Sequence, residues 1–122
     1  MIMKNRKFLM SFKNAWQGLI TAFKDERNFR IELVMGIMVI ILSFILKISI
    51  LEWTAIVFCI VLVLIAELFN SALEHLVDLF SPEYHEHAKK AKDIAAAAVL
   101  TISMGTVVIG SIIFIPKLLS FF

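Results

Sequence analysis

From Ile94 to Ile115 the chain carries no charged residue. About 20 apolar residues make a helix long enough to cross the hydrocarbon core of a bilayer, so this segment can span unaided. Two shorter apolar stretches precede it, LVMGIMVIILSFIL at 33–46 and WTAIVFCIVLVLIA at 53–66. Each reaches spanning length if its helix is extended by a turn or two with polar groups on one face only. KISILE at 47–52 reads as the tight connection between them. Ser81-Pro82 ends the second helical pattern, and Ser81 is placed to cap a new helix with Pro82 at its first position. The expected transmembrane helices run over about 29–47, 52–80 and 90–118.

Composition agrees. Of 122 residues, 61% are hydrophobic and 18% charged, against about half and a quarter in a soluble domain. One domain of this size has too little polar surface to cover such a core in water, and lipid is the better solvent. The same figures exclude disorder, a collagen-like fibre and a disulfide scaffold. Cys59 is the one cysteine, so there is no intrachain disulfide and no cysteine metal site. A net charge of +2 gives no reason to expect a nucleic-acid partner.

Before the first span, Phe8, Leu9, Phe12, Ala15, Trp16, Leu19, Ile20 and Phe23 recur at spacings of three and four among basic residues. This is an amphipathic helix over about 5–24. A helix docked on a soluble core would share that pattern, but the apolar chain that follows favours the headgroup plane. The region has no apolar run and cleavage site of the kind found in a secretory signal peptide. With a cytoplasmic N-terminus, ten of the twelve lysines and arginines lie inside, leaving only Lys47 and Lys117 outside, as the positive-inside rule requires.

The informative stretch is ELFNSALEHLVD, residues 67–78. At about 100° per residue, Glu67, Asn70, Ser71, Glu74 and Asp78 fall on one stripe roughly 100° wide. The stripe runs from within the membrane to its cytoplasmic surface. Glu67 is deepest, and Glu74 lies roughly 10 Å nearer the water. A carboxylate at such a depth costs a few kcal/mol on insertion scales and marks a functional site by default. Glu26 and Glu32 sit where the surface helix meets the first span, and Ala91-Lys92-Asp93 opens the third helix at the same level. Carboxylates from three segments therefore converge with Lys89, Lys90 and Lys92, a combination that suits Mg²⁺ and phosphate.

Other uses of these residues are conceivable. A polar stripe can glue helices in a structural membrane subunit, and a buried glutamate can serve a proton-coupled transporter. Neither gives the lysine-rich cytoplasmic cluster a purpose. His75, His85 and His87 invite zinc, but His85 and His87 on a helix point about 200° apart. There is no GxxxxGK[ST] loop and no protein-kinase signature, so phosphoryl transfer here needs another scaffold.

ELFNSALEHLVD followed by EYHEHAKKAKDIAAAAVL resembles the signature of the prokaryotic diacylglycerol kinase family, which includes the undecaprenol kinases. DERNFRIE and the W-x-G at Trp16 extend the likeness, which covers roughly Trp16 to Leu100. The resemblance implies an all-α integral membrane protein with an N-terminal amphipathic surface helix and three transmembrane helices. It also implies a homotrimeric bundle with active sites shared between subunits, in a bacterial inner membrane, with the N-terminus and active site cytoplasmic. The implied reaction transfers the γ-phosphate of Mg-ATP to a lipid hydroxyl.

The resemblance implies, by motif position, that Glu67 would be the general base and that Glu26 and Glu74 would hold the divalent metal on the nucleotide. It implies that Lys7, Glu83, Tyr84, His85, Lys92 and Asp93 would contact ATP together with Glu26 and Glu74. It implies that Trp16, Phe29, Arg30, Glu32 and Asn70 would bind or support the lipid. Ala95-Ala96 stand where the diacylglycerol branch has glycine-serine, Asn14 stands where it has an aromatic residue, and Arg6-Lys7 replace its N-terminal arginine. AKKAKDIAAAAVL and ERNFRI are closer to the undecaprenol kinase branch, which makes undecaprenol the expected acceptor and diacylglycerol the alternative.

Overall fold

The computed structural model describes residues 2–122, with side chains from residue 5 onward. Four helices follow one another: α1 over Ile2–Asp25, α2 over Arg27–Ile45, α3 over Ile50–Phe80 and α4 over Glu86–Phe121. There is no strand among the described residues. The chain is an all-α integral membrane protein, because α2, α3 and α4 are each long and apolar enough to cross a bilayer. Their large side chains face outward over most of their length, as Met38, Phe44, Phe58 and Val107 do, which is the arrangement expected where the solvent is lipid or a neighbouring helix.

α1 is the amphipathic helix. Phe8, Phe12 and Trp16 are exposed along it, with Trp16 60% accessible, so its apolar face is presented outward and can enter the headgroup layer. A single residue, Glu26, joins α1 to α2, in extended geometry (φ −108°, ψ 106°). Arg30 fixes this corner. Its Nη1 donates to the carbonyls of Phe23 at 2.8 Å and Lys24 at 2.9 Å, so a cation satisfies the last orphan acceptors of α1 at the negative end of its dipole.

The opposite end of the bundle is closed by two local caps, an ion pair and an apolar cluster. α2 ends in a Schellman motif, with Ile48 N–H donating to Ser43 O and Lys47 N–H to Phe44 O, both at 3.3 Å. Lys47 holds the left-handed position (φ 51°) that glycine usually fills. α3 opens with a capping box: Glu52 N–H donates to Ser49 Oγ at 3.2 Å, and Ser49 N–H donates to Glu52 Oε1 at 2.9 Å. Lys117 Nζ completes the group by pairing with the same Glu52 oxygen at 3.0 Å, tying α4 to α3. Beside these lies the buried cluster of Ile48, Ile56, Ile113 and Phe114.

Gly36 lets α2 approach α3, since a Cβ there would stand 3.2 Å from Ile60 Cγ2, and a β-branched side chain on a helix has little rotamer freedom with which to yield.

One sequence expectation is corrected. The helix after Ser81 does not begin at Pro82. Ser81 terminates α3, its N–H donating to Val77 O and its hydroxyl to Glu83 O. With the hydroxyl turned to that carbonyl, Ser81 caps no following helix. α4 starts at Glu86, and His85 is its cap, Nδ1 accepting from His87 N–H at 3.1 Å.

Two predictions follow from this closed end. Lys47→Gly removes a left-handed non-glycine residue and raises stability by about 1 kcal/mol, the low end of the usual cost of that conformation. Ser49→Ala loses half the capping box and lowers stability by about 1 kcal/mol. Thermal unfolding of the detergent-solubilised protein should show opposite shifts in Tm; shifts of the same sign would refute one of the two assignments.

Candidate active site

Helix length sets the level of the site. The 19 residues of α2 rise roughly 28 Å from the α1–α2 corner to the closed end. α3 returns antiparallel, so about its first twenty residues bring it back to the level of the corner. Glu67 and Asn70 therefore stand beside the start of α2, while the rest of α3 and the first turns of α4 project beyond it.

At that level the stripe on α3 faces inward. Glu67 is 3% exposed, and Asn70 and Ser71 are each 7% exposed. Glu74 is half-buried, and Asp78 is exposed. Phe69 and Leu76, on the other faces, are 73% and 51% exposed. The helix thus turns its acidic line toward the protein and its apolar sides toward lipid, which avoids the cost of carboxylates in hydrocarbon.

Four carboxylates converge. Those of Glu26, Glu32 and Glu74 all lie within electrostatic range of Glu67, and the Ser71 hydroxyl faces it from one turn away. The cations near this end go elsewhere. Lys92 pairs with Asp78 across the α3–α4 gap, Lys89 with Asp93 at 2.6 Å, and Lys90 with Glu86 at 3.3 Å. Arg30 is turned to the α1 carbonyls. Among the described residues, Glu32, Glu67 and Glu74 have no lysine or arginine within 4 Å.

A gathering of like charges without a side-chain cation suits an external cation that prefers oxygen ligands. No three His, Cys, Asp or Glu side chains among the described residues stand close enough to cage a metal by themselves. Mg²⁺ does not need such a cage, because it is usually held by one or two carboxylates together with substrate phosphates and water. The donor set fits the ion on those terms.

Other candidate residues sit as follows. Glu32 is half-buried, and its Oε2 is enclosed without a hydrogen-bond partner. It lines a cavity of about 270 Å³ between α2, α3 and α4, otherwise mostly apolar apart from Ser103 and Thr106. Asn70 Oδ1 is likewise enclosed and unpartnered among the described residues. Phe29 is buried at the corner. Glu83, Tyr84 and His85 are exposed in the α3–α4 connection. With Nδ1 of His85 accepting, a neutral ring carries its proton on Nε2.

Lys92 and Asp93 diverge on α4, Lys92 reaching α3 and Asp93 staying on its own helix, as adjacent helical residues about 100° apart must. Lys7 is exposed on α1, roughly 27 Å along the helix axis from the corner. A single chain therefore does not bring Lys7 to Glu26.

One contact was missed from sequence. His75 Nε2 lies 3.3 Å from Glu26 Oε1, joining α3 to the corner. His75 stands about 80° around α3 from Glu67, off the acidic stripe. In the sequence it stands out only as one of three histidines that invite zinc, beside Glu74.

Comparison with known proteins places these features in context. The prokaryotic diacylglycerol kinase family matches residues 13–114. A diacylglycerol kinase of Synechocystis is 42% identical over 113 residues, covering 92% of this chain and 65% of the relative, so the chain spans just under two thirds of that protein. An undecaprenol kinase of Bacillus subtilis is 39% identical over 112 residues, covering 92% of this chain and 91% of the relative. A diacylglycerol kinase of Escherichia coli K12 is 36% identical over 86 residues, 70% of either chain. The matched region contains the α1–α2 corner, the whole acidic stripe and the start of α4, and the chain belongs to the prokaryotic diacylglycerol kinase family.

Proposed function

We propose that this protein is a lipid kinase that transfers the γ-phosphate of Mg-ATP to the hydroxyl of a membrane lipid alcohol, with undecaprenol as the acceptor. The observation that carries the reading is the buried Glu67 carboxylate on a membrane-spanning helix, surrounded by other carboxylates and by no lysine or arginine. In this reading such a group meets an alcohol from the lipid side and a metal-bound nucleotide from the water side. Similarity over nearly the full length of the Bacillus subtilis undecaprenol kinase supports that acceptor. The Synechocystis relative supports diacylglycerol as the alternative.

In this reading Glu67 accepts the hydroxyl proton as the lipid oxygen forms its bond to the γ-phosphorus. The bond to the β–γ bridging oxygen breaks, giving ADP and the lipid phosphate. Glu26 and Glu74 hold Mg²⁺ on the nucleotide. When bound there, Mg²⁺ would supply charge neutralisation to the phosphates. Asn70, between the two glutamates on the stripe, uses its amide to orient the reacting groups. Lys92 and Asp93 contact ATP, together with the Glu83-Tyr84-His85 connection. Trp16, Phe29, Arg30 and Glu32 bind the lipid or support its pocket. Lys7 would reach the nucleotide from a second copy, in a homotrimer with shared sites. The positive-inside pattern supports a cytoplasmic N-terminus and site, and the bacterial relatives support the inner membrane.

Purified protein given Mg-[γ-³²P]ATP with undecaprenol and diacylglycerol side by side should label undecaprenol with the higher kcat/KM. Preference for diacylglycerol would reverse the acceptor, and inactivity of well-folded protein on both would defeat the kinase reading. Glu67→Gln should lower kcat by about 10²–10⁴-fold, the usual worth of a general base, with nucleotide binding retained. Glu74→Gln should raise the Mg²⁺ concentration needed for half-maximal activity; an unchanged metal dependence would remove Glu74 from the ion.

A further inference from the structure

Glu26 is the whole link between α1 and α2, and its backbone is held from both sides, its N–H donating to Ala22 O at 2.9 Å and its carbonyl accepting from Arg30 N–H at 3.3 Å. Its side chain is not held this way. Glu26 stands at the N-cap position of α2 yet makes no side-chain capping bond, so its carboxylate is turned away from the helix end that would ordinarily draw it. The partner it has is His75 Nε2, 3.3 Å from Oε1. The His75 side chain is 72% exposed and that of Glu26 23%, and the Glu26 carboxylate also lies within electrostatic range of Glu67.

We propose that His75 is a positioning residue: its Nε2–H holds Glu26 Oε1 and thereby aims the other carboxylate oxygen at the divalent cation of the nucleotide. This rests on the reading of Glu26 as a ligand of that cation. A three-torsion side chain on a one-residue corner has many rotamers to lose on binding, and a donor from another helix removes that freedom beforehand. Outer-shell partners of this kind commonly change metal affinity or activity by about 10–100-fold. For a ring as exposed as His75 the lower end applies. The role is a hydrogen bond, so a neutral donor of the same reach should replace it. Glutamine places its amide nitrogen where the imidazole Nε2 stands; alanine places nothing there.

The test uses the full-length protein in detergent with a non-hydrolysable ATP analogue, and follows Mn²⁺ binding by the EPR signal of the free ion. His75→Ala should weaken Mn²⁺ binding by about tenfold with the lipid KM unchanged, and His75→Gln should restore most of the loss. Unchanged Mn²⁺ binding in His75→Ala overturns the proposal, as does an equal loss in alanine and glutamine variants, which would mean the ring itself touches the ligand. Glu26→Gln is the control. If it leaves Mn²⁺ binding intact, the ligand reading of Glu26 has failed; if it weakens binding while His75→Ala does not, only the positioning role has failed. A second measurement needs no histidine variant: the ¹⁵Nε2 resonance of His75 should move on Glu26→Gln in the protein without nucleotide, and a stationary resonance counts against the pair.

Discussion

Placing a carboxylate inside a membrane-spanning helix is the constraint from which the rest of this structure follows. Glu67 is kept from lipid by lying on the one face of α3 that turns inward, and the polar residues near it, Asn70 and Ser71, share its burial. The remaining faces of α3 are apolar and exposed, as Phe69 shows. Such a helix can rotate only slightly before it drives an acid into hydrocarbon or an aromatic ring into the site. The stripe thereby fixes the rotation of α3, and α3 is the element against which both α2 and α4 pack.

The two ends of the bundle are built differently, and the difference suits a site at one of them. At the closed end the devices are backbone caps and apolar packing, joined by one half-buried ion pair: a Schellman turn, a capping box, the Ile48–Ile56–Ile113–Phe114 cluster and Lys117–Glu52. At the other end the links are polar and mostly exposed: Arg30 on two carbonyls, His75 on Glu26 and Lys92 on Asp78. Water-exposed polar links are individually weak and can exchange partners, whereas apolar packing and backbone caps cannot do so without local unfolding.

Much of this was legible in the sequence because the signals are periodic. Uncharged runs gave the three spanning helices, and the repeat of three and four from Phe8 to Phe23 gave the amphipathic α1. The inward direction of the stripe followed from its angular spread, since Glu67, Asn70, Ser71 and Glu74 are either all inside or all outside. Junctions were less legible. Ser81-Pro82 carries the signature of a helix start, yet the Ser81 hydroxyl donates to Glu83 O, and the cap passes to His85, a residue whose capping bond needs a ring orientation that no spacing encodes. The His75–Glu26 contact joins residues 49 apart in sequence. It depends on how α3 packs and rotates against the α1–α2 corner, and that is a tertiary fact.

The lysines at the polar end are held away from the buried glutamates. Lys89, Lys90 and Lys92 are each engaged, with Asp93, Glu86 and Asp78, and none is engaged with Glu67 or Glu74. Lys92 meets the stripe only at its exposed end, Asp78, and so leaves Glu67 and Glu74 without a neutralising cation. Held instead on carboxylates whose side chains are 60% exposed or more, the lysines sit in pairs worth about 0–1 kcal/mol each. A polyphosphate offers an ammonium group several oxygens and more charge than a single carboxylate does, so exchange from Asp78 or Asp93 to phosphate costs little. Because the lysines pair with exposed carboxylates and not with Glu67 or Glu74, the buried glutamates stay without a lysine partner and the lysines stay in weak, exchangeable pairs.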